Sequence, residues 1–333
     1  MAEITTELVR EYLLQCQGRE VELDKLRREF LLDPGSKSWE SIRNIMFRLT
    51  EQRLVKPSGR RDGVYRVIPQ VNPVKVFGTN HKTETFNLRF PRDHETGMEI
   101  EIAECVVVRG GDLILIAGVS NYGKTSLAMN FLAENIDINK CVLLGNEFTD
   151  ADGKPTPRFI NRLNAIDWVK WVDDNGEDKF TLMPVQSDFA EYVVKDKLNI
   201  IDWINIDTGE HYLIGNVLRD IKRAVGGGGA AIAVIQKSDQ SDSGRGGQFT
   251  KDFADIELLV DQHGDMESRV TVGKVKEYTK RIIGRSWAFG IFDGGVKLDY
   301  FREVKRCPDC HGFKYVKGKG ACITCKAIGW IDK

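Results

Sequence analysis

The sequence predicts an α/β fold built on a mostly parallel sheet, with a small module at each end of the chain. Strand-like and helix-like runs alternate from Cys105 to about Glu303, which is typical of parallel strands joined by helices. Before residue 70 there are three amphipathic helical patterns and a hairpin signal, and after residue 304 a paired cysteine motif. We therefore divide the chain into a first module (1–70), a junction (71–104), an α/β domain (105–303) and a last module (304–333).

Composition restricts the classes of function. The chain has 333 residues, of which 41% are hydrophobic and 29% charged, and its formal net charge is −1. These values are typical of a globular protein, and the neutral balance means that any surface for nucleic acid must be local. We find no leader and no apolar run that could span a bilayer, so we expect no membrane partner. The cysteine usage suits a reducing compartment, so we expect the protein in the cytoplasm.

Within the α/β domain, apolar runs bounded by polar or glycine-containing segments predict the strands. We expect strands at 113–117, 141–144, 198–201 and 231–235, with added strands at 269–275 and 287–292.

The first predicted strand leads into a glycine-rich loop that matches G-x-x-x-x-G-K-[ST]. Glycines let backbone N–H groups approach a phosphate chain, and the N-terminus of the following helix favours negative charge. The lysine would reach the β- and γ-phosphates, and the following threonine hydroxyl would hold Mg²⁺. The motif therefore predicts a nucleoside triphosphate site, against the alternative of a turn that binds nothing. The predicted binding residues are Gly118, Val119, Ser120, Asn121, Tyr122, Gly123, Lys124, Thr125 and Ser126.

Two carboxylates follow predicted strands, at the sheet edge where an open α/β fold binds its ligands. Hydrolysis needs a carboxylate near the metal and a group that positions the attacking water. Glu147 ends the run 142–147, and Asp202 ends the run 199–202. Asp207 is a rival to Asp202, because 203–207 also reads as a strand that ends in aspartate. Each of these residues could instead be a solvated loop carboxylate.

The order of these motifs resembles the RecA-like P-loop ATPases, and within them the motor domain of DnaB-type replicative helicases of bacteria and phages. Gly145-Asn146-Glu147-Phe148 is similar to the family's Ser-x-Glu-Met stretch, and Asp202-Trp203-Ile204-Asn205-Ile206 to its Asp-Tyr-Leu-Gln-Leu run. Val234-Ile235-Gln236-Lys237 resembles the strand that ends in a glutamine and leads into a DNA-binding loop. The resemblance covers about residues 106–301.

The resemblance implies a RecA-like P-loop NTPase core that binds ATP with Mg²⁺ and assembles with identical copies as a ring or filament. It implies that Glu147 activates water, that Asp202 holds the metal's water shell together with Thr125, and that Gln236 senses the γ-phosphate. The resemblance also implies that such a chain would move along single-stranded DNA in the cytoplasm of a prokaryotic cell or of a phage-infected host. Bacterial members typically carry an all-helical N-terminal domain; we expect a different first module here, and therefore do not expect the family's primase contact and standard loading.

The loop after Gln236 is polar and glycine-rich, and in RecA-like proteins it faces the channel that holds single-stranded DNA. Lys237 and Arg245 could pair with DNA phosphates there, although the segment also fits an ordinary surface loop. Farther along the chain, Lys276, Arg281 and Arg285 occupy the region from which such hexamers complete a neighbour's site. The spacing differs from the family's pattern, so it assigns no arginine finger.

The last module carries two C-x2-C pairs separated by eleven residues: Cys307, Cys310, Cys322 and Cys325. Thiolates at this spacing can hold one tetrahedral Zn²⁺, so the pattern predicts a structural zinc ribbon without an open coordination position. The nearby lysines and aromatic residues would suit nucleic acid. It is an equally good interpretation that the zinc ribbon only stabilises the C-terminal segment or that it contacts another protein.

The first module has the element order of a winged helix-turn-helix, three helices followed by a hairpin. Arg43 on the third helix and Arg60 and Arg61 at the hairpin tip would contact duplex DNA, with protein docking as the alternative.

Taken together, the motifs predict an ATP-dependent motor acting on DNA, a DnaB- or RecA-like helicase or translocase in replication or recombination. One alternative is an ATP-switched DNA-binding regulator or loader. Another is a recombination mediator that coats single strands without unwinding.

Overall fold

A computed structural model describes residues 4–70, 85–204, 213–237 and 248–333. The contacts divide the chain into two compact units, Met1–Lys82 and Thr83–Lys333. Within the described ranges, helices are either too short or too polar to cross a membrane.

The first unit consists of short helices packed on an antiparallel sheet. Its elements are α1 (Thr6–Gln15), β1 (Glu20–Glu22), α2 (Leu23–Glu29), α3 (Lys37–Glu51), β2 (Val55–Pro57) and β3 (Val64–Val67), with strand order β1-β3-β2. Thr5 and Ser36 cap α1 and α3, because their side chains accept backbone N–H groups three residues later. The three helices and the hairpin lie where the sequence predicts them. The sequence did not predict β1, a three-residue strand in which only Val21 faces the core.

The second unit is an α/β sandwich around one large mixed sheet. Its parallel part contains β4 (Leu113–Gly118), β5 (Cys141–Leu144), β6 (Phe180–Met183), β7 (Leu198–Ile204), β8 (Ala230–Gln236) and β9 (Ile256–His263). Its antiparallel part adds β10 (Glu267–Val275), β11 (Ser286–Phe292), β12 (Lys297–Arg306) and β15 (Trp330–Asp332), while β13 (Tyr315–Val316) and β14 (Gly320–Ala321) form a separate hairpin. The helices are α4 (Ile102–Cys105), α5 (Lys124–Asn135), α6 (Pro157–Ala165), α7 (Phe189–Tyr192), α8 (Ile214–Val225) and α9 (Gln248–Phe253).

The strand order among the described residues is β15-β12-β11-β10-β9-β4-β8-β7-β5-β6. The strand that precedes the glycine-rich loop, β4, lies between β8 and β9 and is parallel to both. The carboxyl ends of β4, β5, β7 and β8 therefore meet at one edge, where an open α/β sheet binds its ligands. The predicted α/β fold class with a mostly parallel sheet is confirmed.

Both faces of the sheet are covered, which explains why the central strand is apolar throughout. Ile114 and Ile116 pack on the same side as α5, and Leu113 and Leu115 on the same side as α8. Every residue of β4 is buried. A strand covered on both faces has no alternation of polar and apolar residues, as the sequence of β4 predicted.

Several strands were not predicted, above all β9 and β12. The sequence of β9 contains Glu257, Asp261 and His263, which interrupt an apolar pattern. Asp261 is accommodated because Lys237 and Arg269 lie within ion-pair distance of it. Partners distant in the chain thus allow a polar sequence to form an inner strand.

Residues at both ends of the second unit join its core. Phe90, Ile100 and Ile102, from the segment predicted as a junction, are buried in the cluster that packs against α5. At the other end, β15 pairs with β12 and extends the main sheet. The last residues of the chain are therefore attached to the α/β core.

Candidate nucleotide and metal sites

The glycine-rich loop at residues 118–125, called the phosphate loop below, joins β4 to α5. Gly123 has φ 90°, a left-handed conformation that favours glycine, and an added Cβ there would collide with Ile291. At Gly118, a Cβ would lie 2.8 Å from the Val260 carbonyl oxygen and 2.9 Å from Lys124 Cγ. Gly118 is therefore required by the close approach of a backbone oxygen, and Gly123 by its left-handed conformation.

Two side chains contact the phosphate loop itself. Lys124 Nζ donates to the Val119 carbonyl at 2.7 Å, so the ammonium curls back over the loop. Gln236 ends β8 beside Gly118, and its Nε2 donates to Ser120 Oγ at 2.7 Å. The structure thus brings Gln236 into direct contact with the predicted phosphate-binding residues.

Asp202 lies in β7, fully buried beside the first turn of α5. The Thr125 hydroxyl donates to its carboxylate, yet Oδ1 has no hydrogen-bond partner within the described part of the chain. Burial raises the pKa of Asp202 to about 6; the Thr125 hydrogen bond opposes this rise and the nearby Glu147 adds to it. A buried carboxylate oxygen that lacks a donor, next to a threonine hydroxyl, fits the oxygen ligands of Mg²⁺. Asp207, the rival, lies outside the described residues.

Glu147 follows β5 and projects from the same edge. Its Oε1 accepts a hydrogen bond from Trp203 Nε1 at 2.9 Å, so the residue after Asp202 orients the predicted base. The strand ends are close: a Cβ at Gly145 would collide with the Asp202 carbonyl oxygen. Glu147 and Asp202 therefore approach the same space from adjacent strands.

A cavity of about 800 Å³ opens beside these groups, and it has three walls. Residues 121–126 of the phosphate loop and α5 form one wall with Glu147. Arg158 and Arg162 of α6 form the second, and residues 265–268 with Ile291 form the third. The volume is within the range of small-molecule sites.

Sequence reasoning did not identify the second and third walls. Arg158 and Arg162 are four residues apart on α6, so they share a helix face, and this basic pair was the available signal. The third wall is the turn between β9 and β10, which carries no motif. Its position depends on β9 pairing with β4.

One predicted DNA contact is corrected by the structure. Lys237 is 3% exposed, and its Nζ lies 2.5 Å from Asp261 Oδ1. Its ammonium is therefore paired with a carboxylate inside the fold and is not exposed to solvent. Arg245 lies outside the described residues.

The late basic residues have different surroundings. Lys276 Nζ lies 2.6 Å from Asp255, and Arg285 binds both Glu101 and Glu303. Arg281 is exposed in the loop between β10 and β11. Two of the three are therefore engaged in intrachain ion pairs.

In the first unit, the predicted DNA contacts are at the surface. Arg43 of α3 and Arg61 of the β2–β3 turn line a groove with Trp39, and Arg60 is exposed in the same turn. Arg61 lies 4.0 Å from Glu22, an exposed and therefore weak ion pair. Contact of these side chains with DNA stays a prediction.

The four cysteines of the last module converge. All four Sγ atoms of Cys307, Cys310, Cys322 and Cys325 lie within 4.8 Å of one another, and two pairs are 3.7 and 3.6 Å apart. Thiolates around a tetrahedral Zn²⁺ are about 3.8 Å apart, given Zn–S bonds of about 2.3 Å. The Gly329 N–H also donates to Cys325 Sγ at 3.2 Å. The donor set fits a structural zinc ion. Residues 307–333 are called the cysteine module below.

Comparison with known proteins does not show a family for this chain. No protein-family model matches the chain, and neither does any curated protein. A KaiC-like protein from the hyperthermophilic archaeon Pyrococcus horikoshii is 14% identical, with 66% of this chain and 100% of that chain covered and a TM-score of 0.46. The RadB recombinase is 14% identical, with 56% of this chain and 90% of that chain covered and a TM-score of 0.39. Likenesses this weak carry no argument, so the functional proposals depend on the site's own geometry.

Proposed function

We propose that this chain is a Mg²⁺-dependent ATPase whose active site is the cavity beside the phosphate loop. The observation that carries the proposal is Asp202 Oδ1, which has no hydrogen-bond partner among the residues that the structure describes and is buried next to the Thr125 hydroxyl that already binds this carboxylate. A fold normally pairs such an oxygen, because an unsatisfied buried acceptor costs about 1–3 kcal/mol. A cation held by Asp202 and Thr125 would remove that cost.

Each residue then has a distinct role. Backbone N–H groups of the phosphate loop and Lys124 bind the phosphates, while Thr125 and Asp202 would hold Mg²⁺, which when bound would neutralise charge on the phosphate oxygens. Glu147, oriented by Trp203, accepts the proton of the attacking water. Gln236 contacts Ser120 and responds to loss of the γ-phosphate. Arg158 and Arg162 add positive charge on the opposite wall.

The role of Glu147 is tested by Glu147→Gln, which keeps the shape of the side chain but cannot accept the proton. We expect kcat for ATP hydrolysis to fall by about 100-fold or more, with nucleotide affinity retained. The matched control is Glu191→Gln, an exposed carboxylate of the same unit. Turnover near that of the unmodified chain would show that Glu147 is not the base.

We further infer that the ATPase acts on DNA as a helicase or translocase of the DnaB- or RecA-like type, in a ring or filament of identical chains. Gln236 supports this, because it joins the phosphate loop to the segment that follows β8. The cysteine module, which we propose to be a zinc ribbon, adds support: Phe313 and Tyr315 are 79% and 64% exposed, next to exposed lysines. Exposed aromatic and basic side chains are what single strands bind.

Hydrolysis measured with and without single-stranded DNA tests this inference. A motor is expected to hydrolyse ATP several-fold faster on DNA and to separate a tailed duplex. Stimulation without unwinding would favour a mediator that coats single strands. Turnover that ignores DNA, together with tight duplex binding lost in Arg43→Ala, would favour an ATP-switched regulator and contradict the motor.

A further inference from the structure

We propose that Arg302 and Trp330 are positioning residues that connect the cysteine module to the third wall of the nucleotide cavity. Through them, the metal-loaded module keeps the cavity in its binding shape. The proposal rests on the proposed nucleotide function. It gives the cysteine module a role in supporting the nucleotide cavity, which a metal site with no open coordination position does not by itself suggest.

The first link joins the cysteines to β15. Gly329 lies between a cysteine and this strand: its N–H donates to Cys325 Sγ at 3.2 Å, and its carbonyl accepts from the Cys307 N–H at 2.9 Å. The next residue, Trp330, begins β15 and pairs with Arg306 of β12. The position of β15 therefore depends on the folded knuckles that precede it.

The second link joins β15 to the cavity through Arg302. Its guanidinium binds Glu267 with two hydrogen bonds, of 2.6 and 2.7 Å, and its Nε binds Asp332 Oδ1 at 2.9 Å. A two-pronged arginine–carboxylate pair fixes direction as well as distance. Because Glu267 borders the cavity, Arg302 connects the cavity wall directly to the last strand.

The third link starts at the Trp330 ring. The Arg269 guanidinium lies 3.9 Å from the ring centroid and 3.2 Å from Asp261, which in turn holds Lys237. The Lys237 N–H donates to the Gly118 carbonyl at 2.9 Å. The contacts of Trp330 therefore connect the cysteine module to the start of the phosphate loop, independently of the contacts of Arg302.

The third wall needs such support. It is the turn of the antiparallel β9–β10 pair and stands at the cavity mouth, where Met266 is 89% exposed. A turn of this kind gains little from its own packing, so contacts from outside the hairpin determine its position. Loss of Arg302 or Trp330 would leave the wall in several positions, and nucleotide binding would then have to order it.

The test is the affinity of the full-length, zinc-loaded chain for a fluorescent ATP analogue. We expect Arg302→Ala and Trp330→Ala each to weaken binding by about tenfold, within the usual range of coupling between sites. The matched control is Arg109→Ala. Arg109 makes a similar pair with Glu277 and is 34% exposed, against 35% for Arg302, but it does not border the cavity. The control should bind within about twofold of the unmodified chain.

Coupling of this kind is reciprocal, which provides a readout that needs no turnover. Saturating nucleotide should raise the chain's affinity for Zn²⁺ by the factor by which Zn²⁺ raises its affinity for nucleotide, measured by competition with a chelating dye, and should not do so in Arg302→Ala. Equal nucleotide affinity in the folded variants, or zinc affinity that ignores nucleotide, would overturn the proposal. Failure of the unmodified chain to bind nucleotide at all would instead refute the proposed function, and this inference with it.

Discussion

The phosphate loop and the cysteine module are both defined by short motifs, yet they form sites of opposite kinds. In the cysteine module all four donors come from two knuckles fifteen residues apart, and the thiols face one another in a buried cluster. The phosphate loop supplies only one wall of an open cavity. The other walls come from α6, the β9–β10 turn and Ile291.

This difference reflects what each site must do. A structural metal site is complete when its ligands surround the ion, so local spacing is sufficient. A site that exchanges a ligand must stay open and must place groups around a molecule that is not part of the chain. Asp202 illustrates the energetic cost of an open site, because one of its buried carboxylate oxygens has no hydrogen-bond partner within the described ranges.

The largest expected effect concerns the closed site. Cys322→Ser should abolish stoichiometric zinc binding, because metal binding to such sites is worth about 10–16 kcal/mol and depends on every thiolate. Zinc content measured after dialysis checks this, with Cys16→Ser as the control, since Cys16 lies in the other unit. Retention of one zinc per chain in Cys322→Ser would mean that the site does not use all four cysteines.

Next comes the charge at the centre of the open site. Lys124→Ala should lower kcat/KM for ATP by about a thousandfold, because no other group of the loop offers an ammonium to the phosphates. Lys140→Ala, at an exposed position after α5, should leave hydrolysis unchanged. Steady-state kinetics of both variants decide the matter, and comparable activity would refute the assignment of Lys124.

A smaller effect is expected from the geometry of the loop. Gly123→Ala should destabilise the second unit by about 1–2 kcal/mol for its left-handed backbone and by about 0.5–1.5 kcal/mol more, because the end of the Ile291 side chain must leave its rotamer. Gly153→Ala separates the two terms: Gly153 has φ 77°, but an added Cβ meets no atom within 4 Å. Denaturant unfolding measures both variants, and equal losses would show that Ile291 moves aside without cost.

The smallest expected effect is that of Gln236→Ala. Losing the contact with Ser120 should reduce kcat by about tenfold, equivalent to roughly 1.4 kcal/mol, with little change in nucleotide affinity. Single-turnover hydrolysis measures the step directly, and Gln262→Ala on β9 is the control. A weakened affinity with unchanged kcat would mean that Gln236 supports the loop and does not sense hydrolysis.

Much of the fold and part of the site could be predicted from the amino-acid sequence. The predicted strands around 113–117, 141–144, 198–201 and 231–235 are all present, each extended by at most three residues. Buried parallel strands are apolar runs, so their sequences carry a direct signal. The strand β9 carried no such signal, because Asp261 and Glu257 obscure it.

Side-chain direction at the edges could not be predicted. The sequence predicts that Lys237 is an exposed cation at the end of a strand. Only the structure shows that it is buried, in an ion pair with Asp261 of β9. The same holds for Glu267, whose place at the cavity wall depends on the pairing of β9 with β4. Such contacts join residues far apart in the chain, so no local pattern records them.

The sequence by itself determined the elements whose chemistry depends only on residues close together along the chain. These are the phosphate loop, with glycines where a Cβ would collide, and the four thiols at metal-binding spacing. Only the tertiary structure decided that Asp202 meets Thr125, that Trp203 orients Glu147, and that Arg302 ties the cysteine module to the cavity. Local spacing sets what a short segment can bind, whereas the pairing order of the sheet sets which distant segments surround the ligand.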